Sequence, residues 1–331
     1  MSIIVTGGAG FIGSNFVRVW LDKNVQDTVI VLDKLTYAGS LKNLEGVDSD
    51  RMIFIQGDIN DRLLVEELFN RYRPKSLANF AAESHVDRSI NDPEEFIYTN
   101  VNGTFNLLRC AYSYFKSLEE EERKKFRFLQ ISTDEVYGSL EEGGNAFTEE
   151  HSYRPNNPYA ASKASADHLV RAYGHTFGLP VLVTNCSNNF GPYQHQEKLI
   201  PTIILNALNE SPIPIYGDGQ NIRDWIYVTD HCLAIMAVLN KGKVGESYNL
   251  GANMEKTNLD IAKIICSKLD QIFPRSNQRS YHELIAFVED RPGHDRRYAI
   301  NNEKFLRELN FNFNETFISA IEKTISFYLR R

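Results

Sequence analysis

Three glycines, Gly7, Gly10 and Gly13, stand directly behind the apolar run 3–6, and they constrain the fold more than any other feature of the chain. A short apolar strand, a turn spaced G-x-x-G-x-x-G and an amphipathic stretch at 11–22 make the opening of a βαβ unit. Glycine permits the positive φ of such a turn and lets a pyrophosphate approach the backbone. The helix that follows turns free N–H groups and the positive end of its dipole toward that anion. Asp33 lies 20 residues after Gly13, at the end of a second apolar run. A carboxylate there accepts hydrogen bonds from ribose hydroxyls and repels a 2′-phosphate, so NAD is expected rather than NADP, although Lys34 beside it weakens that preference.

The rest of the first half continues the alternation. Strands are predicted at 3–6, 29–33, 53–56, 76–80, 127–132 and 181–185, with helices near 11–22, 61–72, 93–116 and 159–177. The expected class is α/β, a Rossmann-type doubly wound parallel sheet with a smaller C-terminal α/β lobe. Residues 1–185 are assigned to an NAD-binding domain, with returns near 226–251 that include a strand at 248–251. Residues 186–331 are assigned mainly to a substrate lobe. Loop and turn residues cluster at 188–193 and 211–220, with helices expected at 198–209, 229–240, 258–270, 302–309 and 315–329 and a strand at 286–288. The run 119–125 reads as a solvated helix end or loop.

Composition narrows the function. Apolar residues are 42% and charged residues 24% of the 331, which is ample for a core. A net charge of −7 argues against a nucleic-acid partner. No run approaches the ~20 apolar residues of a membrane span, and the opening has neither a basic segment nor a long apolar one, so a cytoplasmic protein is expected. Cys110, Cys186, Cys232 and Cys266 form no C-x-x-C pair and are expected to be buried thiols, with no metal site.

Tyr159 and Lys163, spaced by four at the start of a helix behind Pro158, share one face. An ammonium near a phenol favours the phenolate, and an oxidised nicotinamide adds to the effect. Asp58-Ile59 and Phe80-Ala81-Ala82 end strands three and four, where a cofactor lies in such a sheet. Ser132-Thr133-Asp134-Glu135 follows strand five: either a polar turn, or a site where two carboxylates divide acid and base work.

These motifs, with Ala82-Glu83-Ser84-His85-Val86-Asp87-Arg88 and Asp290-Arg291-Pro292-Gly293-His294, resemble the extended short-chain dehydrogenase/reductases over nearly the whole chain. Within them the chain is most similar to the nucleotide-sugar 4,6-dehydratases, and Asp134-Glu135 points to the branch acting on dTDP-glucose. Asn79 and Asn301 depart from that family's usual His and Asp. The resemblance implies C4 oxidation by Tyr159 and NAD, with Thr133 and Lys163 beside the phenol. It further implies C5 deprotonation by Glu135, loss of the C6 hydroxyl to Asp134, and hydride return to C6.

It also implies further cofactor contacts at Phe11, Ile12, Lys34, Leu35, Thr36, Ser84, Thr99 and Asn189. Substrate contacts are implied at Ser84, Thr133, Asn188, Lys198, Leu199, Pro214, Tyr216, Arg223, Asn258, Asp290, Arg291, Gly293 and His294. Two of these have plainer readings: Arg223 next to Asp224 as a surface ion pair, and His294 as an ordinary loop histidine. The implied partners are a nucleotide sugar and a second copy of the chain, docked through helices near 93–116 and 159–177, where Tyr98, Val101, Phe105, Tyr112 and Phe115 exceed what the sheet needs. The alternatives are a dehydratase, epimerase or decarboxylase acting on a UDP- or GDP-sugar, and a non-catalytic NAD sensor.

Overall fold

In the computed structural model, residues 2–141, 143–290 and 295–330 are described. Seven strands form the central sheet: β1 (Ser2–Thr6), β2 (Thr28–Asp33), β3 (Met52–Gln56), β4 (Ser76–Asn79), β5 (Arg127–Thr133), β6 (Val181–Cys186) and, far along the chain, β10 (Ser247–Leu250). Their order is β10-β6-β5-β4-β1-β2-β3, and every ladder is parallel. Parallel strands need crossovers, and helices cover both faces, which is why these strands are nearly uninterrupted apolar runs.

On one face, helices Phe11–Lys23 and Val228–Lys241 pack around Val5, Val31, Leu129 and Tyr248. Phe305 and Leu309 of helix Glu303–Leu309 join the same cluster, so the chain returns to the first domain later than the expected 226–251. On the other face lie helices Arg62–Tyr72, Thr104–Ser117 and Pro158–Phe177, around Ile4, Leu77 and Phe128.

The helix expected at 93–116 is not uniform. A π-helical segment, Ile97–Gly103, joins Glu94–Phe96 to Thr104–Ser117. Widened turns of this kind commonly re-aim side chains at a site. Here Asn100 turns inward, accepting from the Glu83 N–H (2.9 Å) and donating to the Glu83 carbonyl (3.0 Å) and the Ser162 hydroxyl (2.8 Å). The loop after β4 is thereby tied to helix Pro158–Phe177. The acidic-basic run 119–125 forms helix Glu120–Lys125, with acids in the first turn and bases in the last, as the helix dipole favours.

The second lobe holds short strands where turns were expected. β7 (Asn188–Phe190) pairs with β9 (Ile222–Tyr227), which also carries β11 (Glu255–Thr257) and β13 (Arg297–Tyr298). β8 (Ile213–Tyr216) pairs with β12 (Ile285–Val288). Helices Leu199–Leu208, Asn258–Ile272 and Phe317–Leu329 close over them around Ile203, Ile265 and Ile321. All four cysteines are buried and unpaired.

Candidate active site

The cleft opens at the carboxyl ends of the central strands and is roofed by residues 186–198 of the second lobe. Its floor is the glycine turn. Gly7 has φ +65°, and a Cβ there would sit 2.7 Å from the Ala81 backbone nitrogen. A Cβ on Gly13 would lie 2.2 Å from the Gly7 carbonyl oxygen. The turn therefore admits only glycine at both places, because backbone on the far side cannot yield. Helix Phe11–Lys23 starts here with no side chain capping its first N–H groups, and Gly10, Phe11, Ile12 and Gly13 line the cleft. An uncapped N-terminus facing a cleft is an anion site.

Asp33 has a structural duty that its sequence position concealed. Its carboxylate accepts from the N–H groups of Ala9 (2.8 Å) and Leu35 (2.8 Å), stitching the glycine turn to the end of β2. Burial nonetheless pushes its pKa up, against those two hydrogen bonds. Lys34 turns to Asp58, with Nζ 2.9 Å from the carboxylate, so its charge is matched within the chain. Thr36, Ile59, Phe80, Ala81, Ala82, Ser84 and Thr99 complete this half of the wall, with Asn189 on the roof. Leu35 does not line the cleft: held at φ 59°, its side chain packs against the core under that face of the sheet.

Thr133 ends β5 and caps the single turn Asp134–Tyr137, its hydroxyl accepting from the Glu135 N–H at 3.3 Å. That turn puts two adjacent carboxylates into different surroundings. Asp134 is 3% exposed and one of its oxygens has no hydrogen-bond partner among the described residues, whereas Glu135 is half-buried. Desolvation holds the Asp134 carboxyl well above the ordinary range, with Glu135 and Asp224 adding like-charge repulsion and Arg223 opposing. Burial thus favours the neutral acid at Asp134, beside a more solvated carboxylate.

A stability consequence follows. A carboxyl whose folded-state pKa is raised costs nothing below its unfolded value of about 4 and costs progressively more as pH rises toward the folded value. Asp134→Asn removes that cost. Its melting temperature is expected to match the parent near pH 4 and exceed it increasingly toward pH 8, measured by calorimetry at several pH values. A variant less stable than the parent at pH 8 contradicts this assignment.

Helix Pro158–Phe177 begins at Asn157, whose side chain accepts from the Ala160 N–H at 2.8 Å, and Pro158 occupies its first turn. Tyr159 and Lys163 are therefore both directed inward and buried, at 9% and 4% exposure. Tyr159 hydrogen-bonds Thr133, but burial dominates, and Glu135 and Cys186 add to it, so the phenol stands well above its usual value. Lys163 does not correct this alone. Its ammonium donates to the Ile131 carbonyl at 2.7 Å, and burial lowers its pKa against the pull of Asp167. Lys163 is not among the influences that lower the phenol, so the nicotinamide charge expected beside the lysine carries more of that work. Beneath it, Asp167 accepts from Ser132 Oγ (2.6 Å) and the Tyr153 hydroxyl (3.2 Å), anchoring the helix to β5.

Asn188 and Lys198 share the cleft, while Leu199 turns toward the second lobe's core. Arg223 is not a surface ion pair. It is 6% exposed, its guanidinium donates to the carbonyls of Ile222 (2.7 Å) and Asp295 (2.9 Å), and it stacks 4.5 Å over Tyr298. Pro214 and Tyr216 lie on β8, away from the cleft lining, and Tyr216 is 45% exposed. Asn258 is buried at a helix start, and Asp290 packs by Gly217. Arg291, Gly293 and His294 lie outside the described residues. Sequence reasoning missed Tyr37, His195 and Glu197 in the cleft. His85 and His195 both approach Glu197, at 3.4 and 3.5 Å, and no local spacing joins His85 to the other two.

Comparison with known proteins agrees with this geometry. The family model described as GDP-mannose 4,6 dehydratase matches residues 4–324. A dTDP-glucose 4,6-dehydratase of Shigella flexneri is 53% identical over 99% of this chain and 93% of its own length. The crystal structure of dTDP-glucose 4,6-dehydratase from Bacillus anthracis in complex with NAD superposes with a TM-score of 0.88, at 44% identity, covering 100% of this chain and 97% of that one. DesIV, a dTDP-glucose 4,6-dehydratase from Streptomyces venezuelae with NAD and TYD bound, gives 0.88 at 43% identity, again covering 100% and 97%.

Proposed function

The chain belongs to the dTDP-glucose 4,6-dehydratase family, and from that premise we infer that its cleft converts dTDP-glucose to dTDP-4-keto-6-deoxyglucose and water. It is an NAD-dependent hydro-lyase. The observation that carries the assignment is the unlike environment of the two adjacent carboxylates, with Asp134 buried and Glu135 more solvated at the mouth of the same strand as Thr133.

The residues present fit NAD. The glycine turn leaves room for a pyrophosphate at an uncapped helix start, and Asp33 lines the same cleft at the end of β2, where a ribose is expected. Lys34, the cation next to Asp33, is paired with Asp58, which disfavours a 2′-phosphate there. When bound, NAD supplies the acceptor for the C4 hydride, its later donor to C6, and the positive charge that Tyr159 lacks. Tyr159 takes the O4 proton, held in place by Thr133 and by the helix that carries Lys163. The ketone at C4 makes the C5 proton acidic, and Glu135 removes it. Asp134, whose protonated form burial favours, gives its proton to the departing C6 hydroxyl. Glu135 then returns a proton to C5.

Asn188 and Lys198 are proposed to meet the sugar and phosphates, with Arg223, Asn258, Asp290, Arg291, Gly293 and His294 around the nucleotide and Tyr216 with Pro214 at the base. Residues 1–185 thus serve NAD and 186–331 mainly the sugar nucleotide. Incubation with dTDP-glucose, UDP-glucose and GDP-mannose in parallel tests the assignment. Loss of one water is expected from dTDP-glucose, with kcat/KM at least about tenfold above the others, a difference of about 1.4 kcal/mol. Equal turnover of UDP-glucose contradicts the substrate assignment. If none of the three sugar nucleotides is consumed, the NAD-sensor alternative replaces the enzyme reading.

We further propose a cytoplasmic homodimer that supplies deoxysugar synthesis such as that of rhamnose. Support for the dimer comes from Tyr98, Phe105 and Phe177, which are 43%, 43% and 46% exposed along the two helices expected to pair. Phe115, by contrast, packs on the core. Phe105→Asp is expected to sediment as a monomer where the parent is a dimer; an unchanged sedimentation coefficient contradicts this face.

A further inference from the structure

His231 is fully buried on helix Val228–Lys241, does not line the cleft, and has no part in the chemistry above. Its Nδ1 lies 2.7 Å from Oδ1 of Asn189, a residue that does line the cleft. The Asn189 amide nitrogen donates to the Ser187 carbonyl at 3.0 Å, and the Asn189 backbone carbonyl accepts from Gln194 Nε2 at 2.8 Å. We propose that His231 is a positioning residue whose Nδ1–H holds the Asn189 carbonyl oxygen, so that the side chain offers the cofactor an N–H donor and not an acceptor.

The argument is one of complementary donors. An amide oxygen only accepts, so Nδ1 must carry the hydrogen. Burial drops the His231 pKa to about 3, so the ring is neutral and Nε2 is bare; Nε2 has no partner among the described residues. Turning the Asn189 amide over would set its oxygen against the Ser187 carbonyl oxygen, two acceptors face to face, and would force the His231 hydrogen onto Nε2, which has no acceptor among the described residues. Two partners therefore fix one orientation. Of the two amide hydrogens, one goes to Ser187 and the other remains. The matching group on the cofactor is an acceptor, a phosphate or carboxamide oxygen.

This inference rests on the reading of Asn189 as a cofactor contact, and the test separates the two. The full-length protein is purified as the parent, Asn189→Ala, His231→Leu and His231→Asn, whose amide nitrogen replaces Nδ1. NAD retained through gel filtration is measured by absorbance, and the Kd of re-added NAD by calorimetry. Kd is expected to rise about tenfold in Asn189→Ala and His231→Leu, the weight of one hydrogen bond. His231→Asn should stay near the parent. If Asn189→Ala holds NAD as the parent does, the cofactor reading of Asn189 fails, and this inference with it. If Asn189→Ala weakens NAD but His231→Leu does not, or if His231→Asn weakens it equally, only the inference fails. Nitrogen NMR of histidine-labelled parent protein gives an answer even if the leucine variant does not fold. A protonated Nδ1 with bare Nε2, unchanged between about pH 6 and 8, is expected; the opposite tautomer overturns the proposal.

Discussion

Glu135→Gln is expected to oxidise C4 and stop there. The glutamine keeps the size of the side chain but cannot take a proton, and Glu135 is the only carboxylate of the pair solvated enough to act as a base near neutrality. Its neighbour is disfavoured as a base, because burial favours the protonated form of Asp134. Loss of a positioned base costs about 10²–10⁴-fold in the step it serves, so water loss should fall by that amount while the absorbance of reduced cofactor rises. Run in deuterium oxide, the variant should leave C5 unlabelled in both recovered substrate and product. Normal C5 exchange would remove Glu135 from its role, whatever the overall rate.

Tyr159→Phe is expected to block the reaction one step earlier. The phenol is the group placed to receive the O4 proton, and it hydrogen-bonds Thr133 while lying within the field of Glu135, Asp134 and Cys186. All three of those raise its pKa, and each unit corresponds to about 1.4 kcal/mol. Burial raises it further and most, the hydrogen bond with Thr133 opposes them, and a positive charge brought beside the phenol would oppose them too. The parent should therefore lose activity as pH falls, through a limb set by Tyr159 in the NAD-loaded enzyme. In Tyr159→Phe, kcat for C4 oxidation should drop about 10²–10⁴-fold, with no reduced cofactor formed and with KM changed little. The contrast with Glu135→Gln is the useful part: one variant accumulates reduced cofactor and the other does not. Accumulation in Tyr159→Phe contradicts its assignment as the first base.

Much of this architecture was legible from residue order, for physical reasons. Strands covered on both faces must be apolar runs, so β1 to β6 announced themselves, and a glycine turn between strand and helix has few other uses. The cleft therefore contains nearly all the cofactor-side residues expected of it. What stayed hidden is local side-chain aim. Nothing in Y-x-x-x-K says that Lys163 will spend a hydrogen on the Ile131 carbonyl, or that Asp33 will hold two backbone N–H groups of its own chain. The π-helical segment at Ile97–Gly103 shares its apolar periodicity with an ordinary helix over so few residues. β7 is three residues long and rich in asparagine, and β8 contains a proline, so both read as turns. Their strand character comes from partners far along the chain, β9 and β12. Arg223 misleads in the same way: beside an aspartate it reads as a surface pair, yet it is buried against β13.

The claim beneath all of this is spatial, that the phenol of position 159 and the carboxylates of 134 and 135 converge on one hexose ring. A crystal structure of Tyr159→Phe with NAD and dTDP-glucose bound, in which the sugar cannot react, tests it directly. The account predicts the Glu135 carboxylate about 3–3.5 Å from C5, Asp134 facing the C6 hydroxyl, and the ring of Phe at 159 against O4. A hexose seated elsewhere, or Glu135 turned out of reach of C5, contradicts it.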